Sequence, residues 1–228
     1  PLIELRPAFD HLRTTRDGNG FDFHQLIRFV RPIVDHQCDM ITLAEQAVLA
    51  GCDRRDKNRV LQVLPFYYVY GKSLLNTHAY AGGSVSIENR FMFPNTALDT
   101  LESDECTGLS GVPSTFAILL NRSNIAEREL PALRYLTQAG GAMSPEHTRR
   151  LLEILPGKTL FVMYGVTEAS ARLSYLDPDR LPEKIGSIGK AIPNVDLRVL
   201  KDDGSEAVSG EEGEIVARGS NLMSGYWG

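Results

Sequence analysis

The sequence predicts an α/β fold: a layer of parallel strands with helices packed on it, followed by a small antiparallel β unit. Between residues 59 and 163, short β-branched or apolar runs alternate with amphipathic stretches, the rhythm of a parallel sheet. Pro113 and Pro145 stand where they open helices, because the first helical residue needs no N–H. After about residue 184 the rhythm changes, and glycines at 186, 189, 204, 210, 213, 219 and 225 cut the chain into short strands.

The elements follow in order. Residues 60–64, all apolar except Gln62, read as a buried strand. Residues 74–80 read as a helix that stops at Gly82-Gly83. Residues 84–87 are a strand, 96–102 a helix and 107–112 a strand. Pro113 opens a helix to about residue 121, and 133–138 is the next strand. Ser144 caps a helix that starts with Pro145 and Glu146 and runs to 155. Residues 158–163 form another strand, and 195–200 and 214–218 are the clearest strands of the β unit. Asp203-Gly204 is a hairpin turn signal.

Upstream, residues 1–58 form a mixed, polar helical segment. Asp17-Gly18-Asn19-Gly20 marks a turn. Phe23, Leu26, Ile27, Val30 and Val34 then recur at helical spacing across Pro32, and a second helix is expected over 42–50. The chain therefore divides into 1–58, an α/β subdomain over 59–183, and the start of a β-rich subdomain over 184–228.

Composition excludes several classes. With 228 residues, 43% hydrophobic and 23% charged, the chain matches ordinary globular proteins rather than disordered or fibrous ones. A net charge of −5 argues against nucleic acid as a partner. Cys38, Cys52 and Cys106 lie far apart without CxxC spacing, which fits free thiols in a reducing cytoplasm. No run approaches the roughly 18 apolar residues of a membrane span. No G-x-G-x-x-G follows a strand, which sets aside a dinucleotide oxidoreductase. His11, His24, His36, His78 and His147 lack metal-ligand spacing.

Chemistry concentrates in a few segments. Gln138-Ala139-Gly140-Gly141-Ala142 leaves a strand and leads into a helix, and its glycines let a flat ligand or a phosphate approach the backbone. Phe161-Val162-Met163-Tyr164-Gly165-Val166-Thr167-Glu168 ends a buried strand in a turn, where α/β proteins bind ligands. There Tyr164 offers a π-face and Gly165 allows close approach. Thr167 offers a donor to phosphate, and Glu168 a hard oxygen ligand for Mg²⁺. The competing structural reading makes Thr167 a helix cap and puts Glu168 on the helix dipole. Leu64-Pro65-Phe66-Tyr67-Tyr68-Val69-Tyr70-Gly71 is aromatic, and its hydroxyls favour a pocket edge over a dry interior. Two further segments are Gly111-Val112-Pro113-Ser114-Thr115 and the stretch from Gly186-Ser187-Ile188-Gly189-Lys190 through Gly213–Gly219 to Gly225-Tyr226-Trp227.

In this order the segments resemble the adenylate-forming superfamily, and within it bacterial acyl-CoA ligases, over roughly residues 43–228. The resemblance implies that Gly140, Gly141, Ala142, Tyr164 and Gly165 border ATP or AMP. It implies that Thr167 binds phosphate and Glu168 holds Mg²⁺, the two being the catalytic pair. Tyr68, Val112, Gly140, Met163 and Gly165 would border the acyl pocket. The implied reaction is adenylation of a carboxylic acid by ATP, then transfer to the thiol of coenzyme A or a carrier protein.

Parts of the family pattern have no counterpart here. They are a Ser/Thr/Gly-rich loop ending in Pro-Lys-Gly, a Thr-Gly-Asp after Trp227, and a C-terminal domain with its lysine. Tyr68 stands where many relatives have histidine. Both ends read as cut, so the expectation is a portion of a longer enzyme with little ligase activity of its own. The alternatives are a catalytically inactive nucleotide-binding or interaction module, with a homodimer as one arrangement, and an amino-acid adenylation domain. The latter wants an early acidic residue near the pocket, and none is evident.

Overall fold

Short, apolar strands alternating with helices build one mixed sheet in this computed structural model, which describes residues 58–81 and 83–226. The helices expected before residue 58, and Trp227, lie outside the described residues. The chain order is β1 (Arg59–Gln62), α1 (Val69–Ala81), β2 (Ser84–Ile87), α2 (Pro94–Ser103), β3 (Gly108–Gly111) and α3 (Pro113–Arg122). Then come β4 (Tyr135–Gln138), α4 (Pro145–Ile154), β5 (Thr159–Tyr164), β6 (Ser174–Leu176), β7 (Lys190–Ala191), β8 (Val195–Leu200) and β9 (Glu214–Gly219). The main sheet runs β2-β1-β3-β4-β5-β6-β7. Its first five strands in that order are parallel, and β6 and β7 add on antiparallel. Strands β8 and β9 make a separate antiparallel pair. The α/β class and the small antiparallel unit are as the sequence predicts.

Alternation along the strands divides the core into two layers. Leu61, Leu109, Leu136 and Leu160 face Leu98 and Leu101 of α2, Phe116 and Leu119 of α3, and Leu151 of α4. Ala139 and Met163 face the other way, onto Tyr70 and Leu74 of α1. Helix α1 begins five residues before the expected start at 74, because Tyr70 packs as part of this second layer. Prolines open α2, α3 and α4, and Ser144 Oγ accepts from the His147 N–H at 3.1 Å, the expected cap.

The sequence reading missed β6 and β7. Gly189 makes their pairing feasible: its φ is +77°, and a Cβ there would overlap the Tyr175 carbonyl on β6. The Asp203-Gly204 turn forms as expected. Lys201 N donates to Ser205 O at 2.8 Å, and Gly204 has φ +79°. Among the described residues no helix is long and apolar enough to cross a membrane.

Candidate active site

The parallel order of the sheet stops at β5, and a cleft of about 570 Å³ opens at the carboxyl ends of β4 and β5. One wall is Gly140, Gly141 and Ala142, and the other is Met163, Tyr164, Gly165 and Thr167. Tyr68 and Tyr70 contribute from the start of α1, and Gly186, Ser187 and Ile188 from the loop before β7. Seven of the residues singled out by sequence on β4, β5 and their loops therefore line one cavity, and Tyr68 joins them. Val112 does not. It borders a second recess of about 510 Å³ with Leu64, Pro65, Tyr67, Pro113 and Ser114, and Tyr68 and Gly140 border both.

The glycine wall is shaped from below. Gln138 is fully buried, and its Nε2 donates to Gly141 O at 2.8 Å. Among the described residues its Oε1 has no hydrogen-bond partner. Gly140 has φ +83°, and a Cβ there would sit 3.0 Å from Val112 Cγ1 and 3.3 Å from Tyr68 Oη.

The opposite wall turns back sharply after Tyr164. Thr167–Ala169 is a single 3-10 turn whose cap position belongs to Val166, without a side-chain cap bond. Thr167 is thus exposed on the cleft rather than used as a helix cap. Ser170 and Ala171 both take left-handed conformations, at φ +51° and +80°. Each costs about 1–2 kcal/mol for a residue with a Cβ. Leu173 N then donates to Tyr164 O at 2.8 Å, closing the loop onto the strand.

A segment distant in sequence straps this loop. Buried Asn221 donates through Nδ2 to Ala169 O at 3.1 Å and Arg172 O at 3.0 Å. Met223 N donates to Glu168 O at 2.8 Å, and Tyr226 Oη donates to Glu168 Oε1 at 2.5 Å. The Tyr226 hydroxyl holds the Glu168 carboxyl below its usual range, and Glu168 pushes the Tyr226 phenol up. Glu168 is not among the residues that line the cleft. Among the described residues no group of three or more His, Cys, Asp or Glu is arranged to hold a metal. A lone carboxylate suits Mg²⁺, which keeps waters and takes its other ligands from substrate phosphates.

Beneath the cleft lies a hydroxyl network. Tyr70 Oη and Thr137 Oγ1 are 2.5 Å apart, and Thr137 Oγ1 and Ser110 Oγ 2.7 Å. Burial raises the Tyr70 pKa to about 12, so the phenol is neutral. Sequence reasoning missed Asn221.

Sheet-rim glycines, a tyrosine ring and an exposed hydroxyl surround one cleft at the strand ends of an α/β domain, the place where such folds bind ligands. The chain belongs to the AMP-binding enzyme family, whose profile matches residues 34–227, starting upstream of the resemblance read at residue 43. It is 31% identical over 170 residues to an indoleacetate–CoA ligase of Aromatoleum aromaticum, covering 75% of this chain and 33% of that protein. It is 36% identical over 119 residues to a long-chain-fatty-acid–CoA ligase of Haemophilus influenzae, covering 52% of this chain and 21% of that one. The fold matches an O-succinylbenzoate coenzyme A synthetase of Bacillus subtilis solved with ATP and magnesium. The TM-score is 0.70 at 27% identity, over 84% of this chain and 38% of the other. The chain spans about a third of the length of the curated relatives it matches.

Proposed function

We propose that the protein carrying this chain activates a carboxylic acid with ATP and passes the acyl group to the thiol of coenzyme A. The observation that carries the reading is the convergence of Gly140–Ala142, Tyr164, Gly165 and Thr167 on one cleft at the strand ends. The relatives named above are acid–thiol ligases, which supports the same chemistry.

A carboxylate resists attack by a thiol because its leaving group is oxide. In the first step a carboxylate oxygen attacks the α-phosphorus of ATP, and pyrophosphate leaves with the electrons of the broken P–O bond. The product is a mixed anhydride whose leaving group is AMP. In the second step a thiolate sulfur attacks the carbonyl carbon and AMP departs.

The residues divide the work. The Tyr164 ring stacks on the base, and the Gly140–Ala142 backbone meets its other face. Thr167 donates to a phosphate oxygen as charge builds on the phosphoryl group. Glu168, kept ionised by Tyr226, is the residue to hold Mg²⁺, which supplies charge neutralisation at the phosphates. Tyr68, Val112, Met163 and the Cα faces of Gly140 and Gly165 border the acid, in the cleft and the adjoining recess.

The test is ATP–pyrophosphate exchange by the full-length polypeptide with a panel of carboxylic acids, beside calorimetry with AMP. Acid-dependent exchange and AMP binding are expected. Base–aromatic stacking contributes only about 1–3 kcal/mol, so AMP alone binds modestly. No exchange with any acid and no AMP binding at millimolar concentration would overturn the reading. AMP binding without exchange would leave a nucleotide-binding module and remove the ligase.

A further inference from the structure

Tyr226 is 74% exposed and lies past the end of β9, whose two-stranded sheet is separate from the one that carries the cleft. Its hydroxyl nevertheless donates to Glu168 Oε1 at 2.5 Å. Gly225, at φ +147°, turns the chain for this reach in a conformation that a residue with a side chain rarely adopts. Neighbouring residues of the same segment hold the same turn. Met223 N donates to Glu168 O at 2.8 Å, and Asn221 Nδ2 donates to Ala169 O and Arg172 O. Glu168 is therefore held twice, its carbonyl by Met223 and its carboxylate by Tyr226.

Stability does not account for the hydroxyl bond. A hydrogen bond between side chains in reach of water replaces bonds to solvent and adds little to folding. The buried amide of Asn221 already ties down the backbone of the turn. What the Tyr226 bond alters is the carboxylate. A free glutamate samples several rotamers and loses them on binding a cation. Tyr226 removes that freedom beforehand and engages Oε1 alone, which leaves Oε2 without a partner among the described residues. The residue before it, Thr167, lines the cleft, so the fixed carboxylate adjoins the proposed phosphate donor. Mg²⁺ demands near-ideal octahedral geometry and is held by one or two carboxylates together with phosphates, so the orientation of a lone carboxylate matters.

We infer that Tyr226 is a positioning residue: it orients the Glu168 carboxylate, leaves Oε2 for Mg²⁺, and so lowers the Mg²⁺ concentration that ATP binding needs. The inference rests on reading the cleft as an ATP-dependent acid-activating site. It deepens that reading by making a residue beyond the cleft lining, at the end of the small β unit, part of the metal response. Two effects of the hydroxyl oppose each other. Donation withdraws charge from the carboxylate and weakens its hold on a cation, whereas a preset orientation strengthens it. Orientation wins here, because a neutral phenol bonds one oxygen and the other keeps its lone pairs. Outer hydrogen bonds to metal ligands typically change metal affinity about 10- to 100-fold.

The experiment compares the full-length polypeptide as wild type, Tyr226→Phe, Glu168→Gln and the double variant. Calorimetry measures ATP affinity across a Mg²⁺ titration and AMP affinity without metal, and ATP–pyrophosphate exchange follows the same titration. Tyr226→Phe keeps the ring and removes only the hydroxyl. It should raise the Mg²⁺ concentration for half-maximal ATP binding about 10-fold, the lower end of the range, because water reaches the bond. Metal-free AMP affinity should stay within about twofold of wild type, and Tm within about 2 °C, as for an exposed substitution. In the Glu168→Gln background the same substitution should add nothing, because the carboxylate it acts through is gone.

Four results overturn the inference. One is an unchanged Mg²⁺ dependence in Tyr226→Phe. Another is a lower Mg²⁺ requirement, which would mean that the hydroxyl competes with the metal. A third is a matching fall in AMP affinity and Tm, which would make Tyr226 a structural tie like Asn221. The fourth is a shift that persists in full in the Glu168→Gln background. In each of these the wild type still binds AMP and exchanges pyrophosphate, so the reading of the cleft stands. A wild type that does neither would overturn that reading, and the inference would fall with it.

Discussion

Adding one methyl group at each of three glycines tests whether the cleft is shaped by backbone proximity. Gly141, Gly140 and Gly165 all line the cavity. A Cβ at Gly141 would lie 3.4 Å from Pro113 Cγ, close to ordinary contact, so Gly141→Ala should change stability by less than about 0.5 kcal/mol. Gly140 has φ +83° and would press Val112 Cγ1 at 3.0 Å. The left-handed conformation alone costs an alanine there about 1–2 kcal/mol. At Gly165 a Cβ would fall 2.6 Å from the Ala171 carbonyl carbon and Arg172 Cα, and closer still to the Ala171 oxygen. Those are backbone atoms held by Asn221 and by the Leu173–Tyr164 hydrogen bond, so they cannot step aside cheaply. Overpacking of this kind sits at the upper end of the usual range, about 3 kcal/mol. For a chain of this size each kcal/mol moves Tm by about 2–4 °C. Thermal unfolding by circular dichroism should give drops of about 6–12 °C for Gly165→Ala, about 2–8 °C for Gly140→Ala and under about 2 °C for Gly141→Ala. AMP binding should weaken most in Gly165→Ala, because the displaced turn carries Tyr164 and Thr167. If Gly165→Ala melted as Gly141→Ala does, the close approach of the two backbones would be refuted.

Thr167→Ala should lower acid-dependent exchange about 10²-fold, as for loss of one oxyanion donor, with Tm unchanged because the side chain is exposed; a change under about threefold would count against that role. Glu168→Gln should raise the Mg²⁺ concentration needed for half-maximal exchange, read from a metal titration. Asn221→Ala orphans two buried carbonyls, each costing about 1–3 kcal/mol, and should lower both Tm and exchange through the loop it straps. Glu88 links stability to pH. Its carboxyl is held at about 2 by the Arg90 side chain and N–H and by Thr100, against burial. Its folded pKa lies below the ordinary 4.5, so its stabilisation is complete above about that pH and fades as pH falls toward 2. The Tm difference between wild type and Glu88→Gln should be largest near neutrality and narrow across that acid window. A difference constant with pH would remove the linkage.

The parallel layer was legible because it is written in local signals. Val60 and Leu61, or Leu160 and Met163, announce buried strands, and Pro113 and Pro145 announce helix starts. Strands β6 and β7 were not legible. They have three and two residues, too few for a period, and their pairing depends on the contact between Gly189 and Tyr175 across a long loop. The same distinction holds in the site. Tyr164, Gly165 and Thr167 stood out because a tyrosine, a glycine and a hydroxyl at a strand end have few structural uses together. Asn221 is an asparagine among turn residues, and only the fold reveals that its amide spans two carbonyls some fifty residues upstream. Val112 was grouped with the acyl pocket only through the family resemblance. The ring of Tyr68 and the close-packed Gly140 put it in the neighbouring recess instead.

One arrangement links the strain of the fold to its chemistry. The turn from Gly165 to Ala171 holds two residues with side chains in left-handed conformations and a glycine packed against backbone, which is unfavourable locally. It persists because Asn221, Met223 and Tyr226 bond to it from the end of the β unit. The strap bonds three residues of the turn: Ala169 and Arg172 through their carbonyls, and Glu168 through both its carbonyl and its carboxylate. Thr167 rides on the same turn, directly before Glu168. The strap thus fixes the spacing of the two residues proposed to act on the phosphates, Thr167 and Glu168, at once. Shifting it, as in Asn221→Ala, should change Mg²⁺ demand and adenylation together, whereas Glu168→Gln should change Mg²⁺ demand with the fold of the turn kept.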